Sequence, residues 1–243
     1  MLAGLRPQAL RALGQLVAAV VLAFPVSMTS QQPAAQPAVA IDHFILAIND
    51  LDRGVAEFER MTGVRPVFGG VHPGRGTQNA LASLGDGRYI EILAPNPKEP
   101  NPAEPIGGLA ALTVLTPAGW ALGTTDLAAV ATRAEARGLG VSPIRPGSRA
   151  LPDGSRLEWQ TLGIMKPAHN WAPFFIQWTN PALQPSATSP RGCTLQSAAL
   201  EDPNPDPLRA LFDAVGFDMP LKKSDVSRMT IVLQCPKGIV TFK

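Results

Sequence analysis

The sequence contains no CxxC pair, so a zinc ribbon and a thioredoxin-type redox motif are excluded at the outset. No glycine-rich phosphate loop opens a helix and no GxSxG elbow occurs, which removes the motifs of nucleotide-binding and α/β-hydrolase proteins. Lysine and arginine form no run on any segment and the net charge is only +2, so there is no footprint for a nucleic acid. Long apolar stretches are also missing: none reaches the ~20 residues that a membrane-spanning helix requires. What remains describes an ordinary globular chain with a real core, 45% apolar and 16% charged. Its 25 prolines and 22 glycines predict many turns and short strands.

No acidic residue precedes Asp42, while Arg6 and Arg11 make the start basic. The apolar run Leu16–Phe24, ended by Pro25, is about nine residues long, the length of a secretory signal core. Ser27 to Ala40 is rich in proline, glutamine and alanine and predicts a disordered linker. Residues 1–40 therefore read as a signal-type N-terminus and linker, which places the mature protein in the periplasm or outside the cell, with no membrane span after signal removal. A true start at Met28, and a cytoplasmic protein, is the alternative. Cys193 and Cys235 fit a disulfide in an exported protein and two buried thiols otherwise.

The remainder predicts an α+β fold built from repeated βαβββ modules. Ile41–Ile48 is rich in branched apolar residues, as a buried strand is. Asn49-Asp50 offers a helix cap, Leu51, Val55, Phe58 and Met61 form one apolar stripe, and Gly63 is the stop. Strands follow near Val64–Phe68, Gln78–Leu84 and Arg88–Leu93, the last two joined by Gly85-Asp86-Gly87. The pattern returns with Trp120–Gly123, a helix from Leu127 to Gly138, and strands near Val141–Ile144, Leu157–Ile164 and Phe174–Trp178. A shorter third copy runs from Thr194–Leu200 through a helix ending at Gly216 to the hairpin Met229–Gln234 and Gly238–Phe242. The expected organisation is thus a domain at 41–180, with modules 41–95 and 113–180, and a third module at 190–243. Two such modules facing each other close a pocket between their sheets.

Ile41-Asp-His-Phe-Ile-Leu46, the helix start at Asp50-Leu51, the stretch Gly69-Gly-Val-His-Pro-Gly-Arg-Gly-Thr-Gln-Asn-Ala80 and Tyr89-Ile-Glu-Ile-Leu93 together resemble the glyoxalase-like domain family of the vicinal oxygen chelate superfamily. The likeness covers roughly Ile41 to Trp178. In metal-using members, ligands come from the first and fourth strands of two modules. That implies His43 and Glu91 from the first module and Gln177 from the second, around Zn²⁺, Mn²⁺, Fe²⁺ or Ni²⁺. The fourth ligand would fall near Ala118-Gly119, where no side chain binds a metal.

Read on its own terms, His43 is either such a ligand or a strand histidine hydrogen-bonded in the pocket. Glu91 and His72 are the candidate acid–base pair. Arg75, Thr77, Asn79 and Trp178 are candidate substrate contacts, and a solvated or structural role is the competing reading for the first three. The function that follows is a glyoxalase-like enzyme, of lyase or isomerase type, abstracting a proton from a small oxygenated substrate, with or without a metal. A metal-free protein of the same fold that sequesters a small molecule is the alternative. The expected partner is a small-molecule ligand, with a homodimer allowed.

Overall fold

A computed structural model describes residues 39–103, 107–151 and 154–243. Residues 1–38 of the signal-type segment and linker lie outside these residues. The elements in chain order are β1 (Ala40–Ala47), α1 (Leu51–Thr62), β2 (Val67–His72), β3 (Thr77–Gly85) and β4 (Arg88–Pro95). Then come β5 (Thr116–Gly123), α2 (Leu127–Ala136), β6 (Gly140–Val141), β7 (Arg145–Ala150), β8 (Arg156–Leu162), β9 (Ile164–Lys166) and β10 (Phe174–Trp178). The last part holds α3 (Pro185–Thr188), β11 (Thr194–Asp202), α4 (Asp206–Val215), β12 (Leu221–Lys223), β13 (Arg228–Cys235) and β14 (Gly238–Phe242). No helix among the described residues is long and apolar enough to cross a membrane.

Local chemistry explains where the helices begin and end. Asp50 accepts from Arg53 N at 2.8 Å and starts α1, and Gly63, at φ 82°, returns its N–H to the Glu59 carbonyl and ends it. Leu51, Val55 and Phe58 form the buried stripe. Asp126 caps α2 in the same way through Ala129 N.

Eight strands make one mixed, strongly curved sheet in the order β2-β3-β4-β1-β5-β10-β8-β7. Side-chain alternation sorts the two faces. Phe44, Leu46, Ile90, Ile92, Leu122 and Phe175 go to the core beneath the helices. His43, Ile45, Tyr89, Glu91, Phe174, Ile176 and Trp178 face the concave side. The sheet curls far enough for its two edge strands to meet: Arg149 on β7 donates to the Gly69 carbonyl on β2.

Two expectations need correcting. The strand expected near Val64–Phe68 runs Val67–His72 instead, so Gly69, Gly70 and His72 belong to edge strand β2, and only residues 73–76 turn before β3. The strand expected at Val141–Ile144 lies instead at Arg145–Ala150, while Gly140–Val141 pairs with β9 in a separate ladder. Apolar content drew the assignment to Val141 and Ile144, but an edge strand needs little of it and accommodates Pro146.

Strands β11 to β14 form a second sheet, ordered β12-β11-β13-β14, which pairs with neither edge of the first. It packs across the helices and shares one continuous core with them. Phe242 stacks on Phe58 at 5.9 Å, and Phe212 meets Trp120 edge-on at 5.9 Å. Cys193 and Cys235 are joined in a disulfide between the start of β11 and the end of β13. His169 Nε2 lies 3.2 Å from Asp202 Oδ1, tying the loop before β10 to β11.

Candidate functional site

The concave face of the large sheet encloses a cavity of about 510 Å³, within the range of small-molecule sites. At its floor stands a pair that side-chain alternation alone would separate. Asp42 and His43 are consecutive on β1, yet His43 Nδ1 lies 2.6 Å from Asp42 Oδ1 and both are buried. The reason is a register shift between Ile41 and His43 in the β1–β5 ladder, a bulge at Asp42 that re-aims its side chain. Gly123 on β5 leaves room for it, since a Cβ there would come within 3.3 Å of Asp42 Oδ2.

Asp42 also accepts from the Trp178 indole at 2.8 Å. The indole N–H can only donate, so Asp42 accepts from Trp178 through Oδ2 while Oδ1 faces His43. In the tautomer that donates from Nδ1 to Asp42, the lone pair of Nε2 is presented to the cavity. That atom is buried and has no hydrogen-bond partner. Tyr89 stacks on the imidazole at 4.6 Å and Phe174 meets it edge-on at 5.4 Å, so the ring cannot turn. Burial, above all, raises the Tyr89 phenol well above its ordinary value, with Asp42 and Glu91 adding to it, so it stays a donor.

Glu91 faces His43 from β4, with Oε2 3.5 Å from Nε2. Its other oxygen accepts from Asn79 at 2.8 Å. Asn79 also lies 3.3 Å from His72 Nε2, and His72 Nδ1 lies 2.8 Å from Thr77 Oγ1. The arrangement suits a neutral His72 that accepts at Nε2 and donates at Nδ1. Burial pushes the His72 imidazole below its ordinary value, Glu91 pulls it up, and Arg75 and Arg149 push it down further.

This has a measurable consequence. With the folded value below the unfolded value of 6.5, the unfolded chain binds a proton that the folded chain resists. Stability is thus full above that value and falls as pH drops through the folded one. The thermal midpoint of the wild type should decline on acidification below pH 6.5, and more shallowly in His72→Gln. Parallel declines in the two proteins would contradict this placement of His72.

The candidate residues divide plainly. His43, His72, Glu91, Asn79, Arg75 and Trp178 all line the cavity, Arg75 from its exposed rim. Thr77 does not line it; it is buried and holds His72 from behind. Gln177 is misplaced by the sequence reading. Its Oε1 accepts from Leu127 N at the start of α2 at 3.0 Å, on the opposite face of the sheet. Neighbouring residues on a strand face opposite ways, and the cavity takes Phe174, Ile176 and Trp178. Setting the caps Asp50 and Asp126 in register makes Gly119 the sequence counterpart of His43, although in the ladder Gly119 pairs with Ile45. Ile45 pairs with Glu91, and its counterpart Ala121 pairs with Phe174. The second half thus supplies a glycine and a phenylalanine where the first has His43 and Glu91.

The implied metal can be tested against these donors. His43 Nε2 is an orphan suited to a ligand, but Gln177 points away and Asn79 engages both Glu91 and His72. Among the described residues no three His, Cys, Asp or Glu side chains are grouped to hold an ion. The donor set does not fit a resident divalent metal. Sequence reasoning also missed Asp42, Tyr89 and Arg149, the first because a bulge is invisible in the alternation pattern.

A family model described as a glyoxalase-like domain matches residues 41–216. Comparison with curated proteins gives no match. Among solved structures, a hypothetical protein from Staphylococcus aureus is similar over 85% of this chain and 99% of its own, at 18% identity and a TM-score of 0.62, which shows the fold. A variant of Streptomyces coelicolor methylmalonyl-CoA epimerase in complex with 2-nitronate-propionyl-CoA is 20% identical over 58% of this chain and 97% of its own, TM-score 0.42. A variant of 4-hydroxymandelate synthase from Streptomyces coelicolor is 18% identical over 85% of this chain and 62% of its own, TM-score 0.47.

Proposed function

The chain belongs to the glyoxalase-like domain family, and from that premise we propose that it is a proton-transfer enzyme acting on a small carbonyl compound without a resident metal. One observation carries the reading: the buried Nε2 of His43, without a hydrogen bond, 3.5 Å from Glu91 Oε2 at the cavity wall and fixed by Asp42 through Nδ1. A carbon acid bound there loses its α-proton to Nε2. The C–H electron pair passes into the carbon–oxygen system, and an enolate forms. The proton then returns to the same carbon, from His43 or by way of Glu91, 3.5 Å from Nε2; in a hydroxy-ketone the hydroxyl proton first shifts to the enolate oxygen, and the carbon proton returns to the adjacent carbon. Nothing is oxidised, and the outcome is epimerisation or isomerisation.

The test is solvent exchange. Hydroxy-ketones, dicarbonyls and acyl carboxylates incubated with the protein in D₂O should include compounds that gain deuterium at the α-carbon, read by NMR. Binding of such compounds without exchange would favour the sequestering reading. The disulfide supports an exported protein, because such bonds persist in oxidising compartments.

A further inference from the structure

The acid–base cluster occupies one part of the cavity wall, and a positive charge with no carboxylate partner among the described residues occupies another. Arg149 projects inward from β7 and is half-buried. Its hydrogen-bond partner is the neutral Gly69 carbonyl, and no carboxylate among the described residues lies within ion-pair distance of it. Burial lowers its pKa from the usual arginine value, while Tyr89 and Glu91 pull it back up across the cavity. A guanidinium stays charged even so, and one bond to a carbonyl leaves several of its five N–H groups unused.

The position is built into both edge strands. A Cβ on Gly70 would come within 3.2 Å of Arg149 Cδ, so that glycine makes room for the arginine stem to lie along β2. One residue earlier, a Cβ on Gly69 would collide with Asn79 Oδ1 at 2.3 Å. The Gly69-Gly70 pair thus seats Arg149 on one side and the Glu91 partner Asn79 on the other. Beside Arg149, a Cβ on Gly147 would meet the Trp159 ring at 2.4 Å, so the indole lies directly on the strand. Trp178 faces it at 5.7 Å. Among the described residues, the charged side chains lining the cavity are the cations Arg75, Arg145 and Arg149 and the anion Glu91.

We propose that the cavity binds a small organic monocarboxylate, its carboxylate on the Arg149 fork and its flat apolar body against Trp159 and Trp178. Arginine matches a carboxylate with two parallel N–H donors, and the ligand charge offsets the desolvation that Arg149 bears alone. Glu91 across the cavity disfavours a second negative charge placed next to the acid–base cluster. This assignment names the substrate class of the proposed proton-transfer site and rests on that reading for its catalytic meaning, though binding is measurable by itself.

The experiment titrates the full chain with phenylacetate and with its neutral isostere phenylacetamide, following tryptophan fluorescence and calorimetry. The acid should bind at least about tenfold tighter than the amide, the preference a charge-assisted hydrogen bond supplies. Arg149→Gln should erase that preference, while His43→Asn should keep it. Equal binding of acid and amide by the wild type, no saturable binding of phenylacetate, or an unchanged preference in Arg149→Gln would each overturn the assignment. The wild-type comparison stands even if the variant fails to fold. Carboxylate preference with no deuterium exchange on any compound would leave the subsite standing and remove the enzyme. Exchange on neutral carbonyls with no such preference would do the reverse.

Discussion

Replacing His43 by asparagine is expected to lower the deuterium-exchange rate by about 10²–10⁴-fold, the contribution of a well-placed general base. Asparagine keeps a polar group near Asp42 but offers no basic nitrogen at the position of Nε2. Asp42→Asn should fall nearly as far by a different route. An amide in place of the carboxylate no longer requires the proton on Nδ1, so the proton can move to Nε2 and block the base. Because the two residues act as one unit, the double variant should be little worse than either single one. Both sit in a buried cluster with Tyr89 and Trp178, so each variant needs a binding control, which phenylacetate supplies. Exchange by His43→Asn at the wild-type rate would make the histidine a bystander.

The second large effect is on folding. Ending the chain after Pro190 removes Leu200, Leu208, Leu211, Phe212, Met229, Ile231 and Phe242, which share one core with Phe58, Trp120 and Val130 of the first part. It also removes the disulfide and the backbone bond from Lys237 N to the Thr62 carbonyl. The exposed helical layer would be far more apolar than a soluble surface tolerates. The truncated protein should aggregate or lose its cooperative transition. In the full chain, Phe212→Ala alone should cost about 3–5 kcal/mol in denaturant unfolding. A soluble remainder that unfolds cooperatively at the wild-type midpoint would show that 191–243 is an independent unit.

What the sequence made legible was local. Asp50 and Gly63 delimit α1 because a cap and a left-handed stop act within a few residues. The β3–β4 hairpin is written in Gly85-Asp86-Gly87, with all three residues at positive φ. His43, His72 and Glu91 were identifiable by type, and the fold brings them together. Register is where reading failed. Phe174-Phe-Ile-Gln-Trp178 shows no polar alternation, so nothing in it marks which face Gln177 takes, and the helix start at Leu127 claims its amide. Asp42 was passed over because consecutive strand residues normally diverge, and a bulge depends on pairing with β5. Arg149 meets Gly69 across 80 residues of sequence, and only the closure of the sheet brings them together.

The central claim is that side chains rather than a bound metal perform the proton transfer, and chelation tests it most directly. The wild-type protein is dialysed against EDTA, its metal content is measured, and its deuterium exchange is compared with the untreated sample. The account predicts an unchanged exchange rate in metal-free protein. Loss of exchange on stripping, with recovery on adding one equivalent of a divalent ion, would contradict it and make His43 and Glu91 ligands instead of acid–base groups.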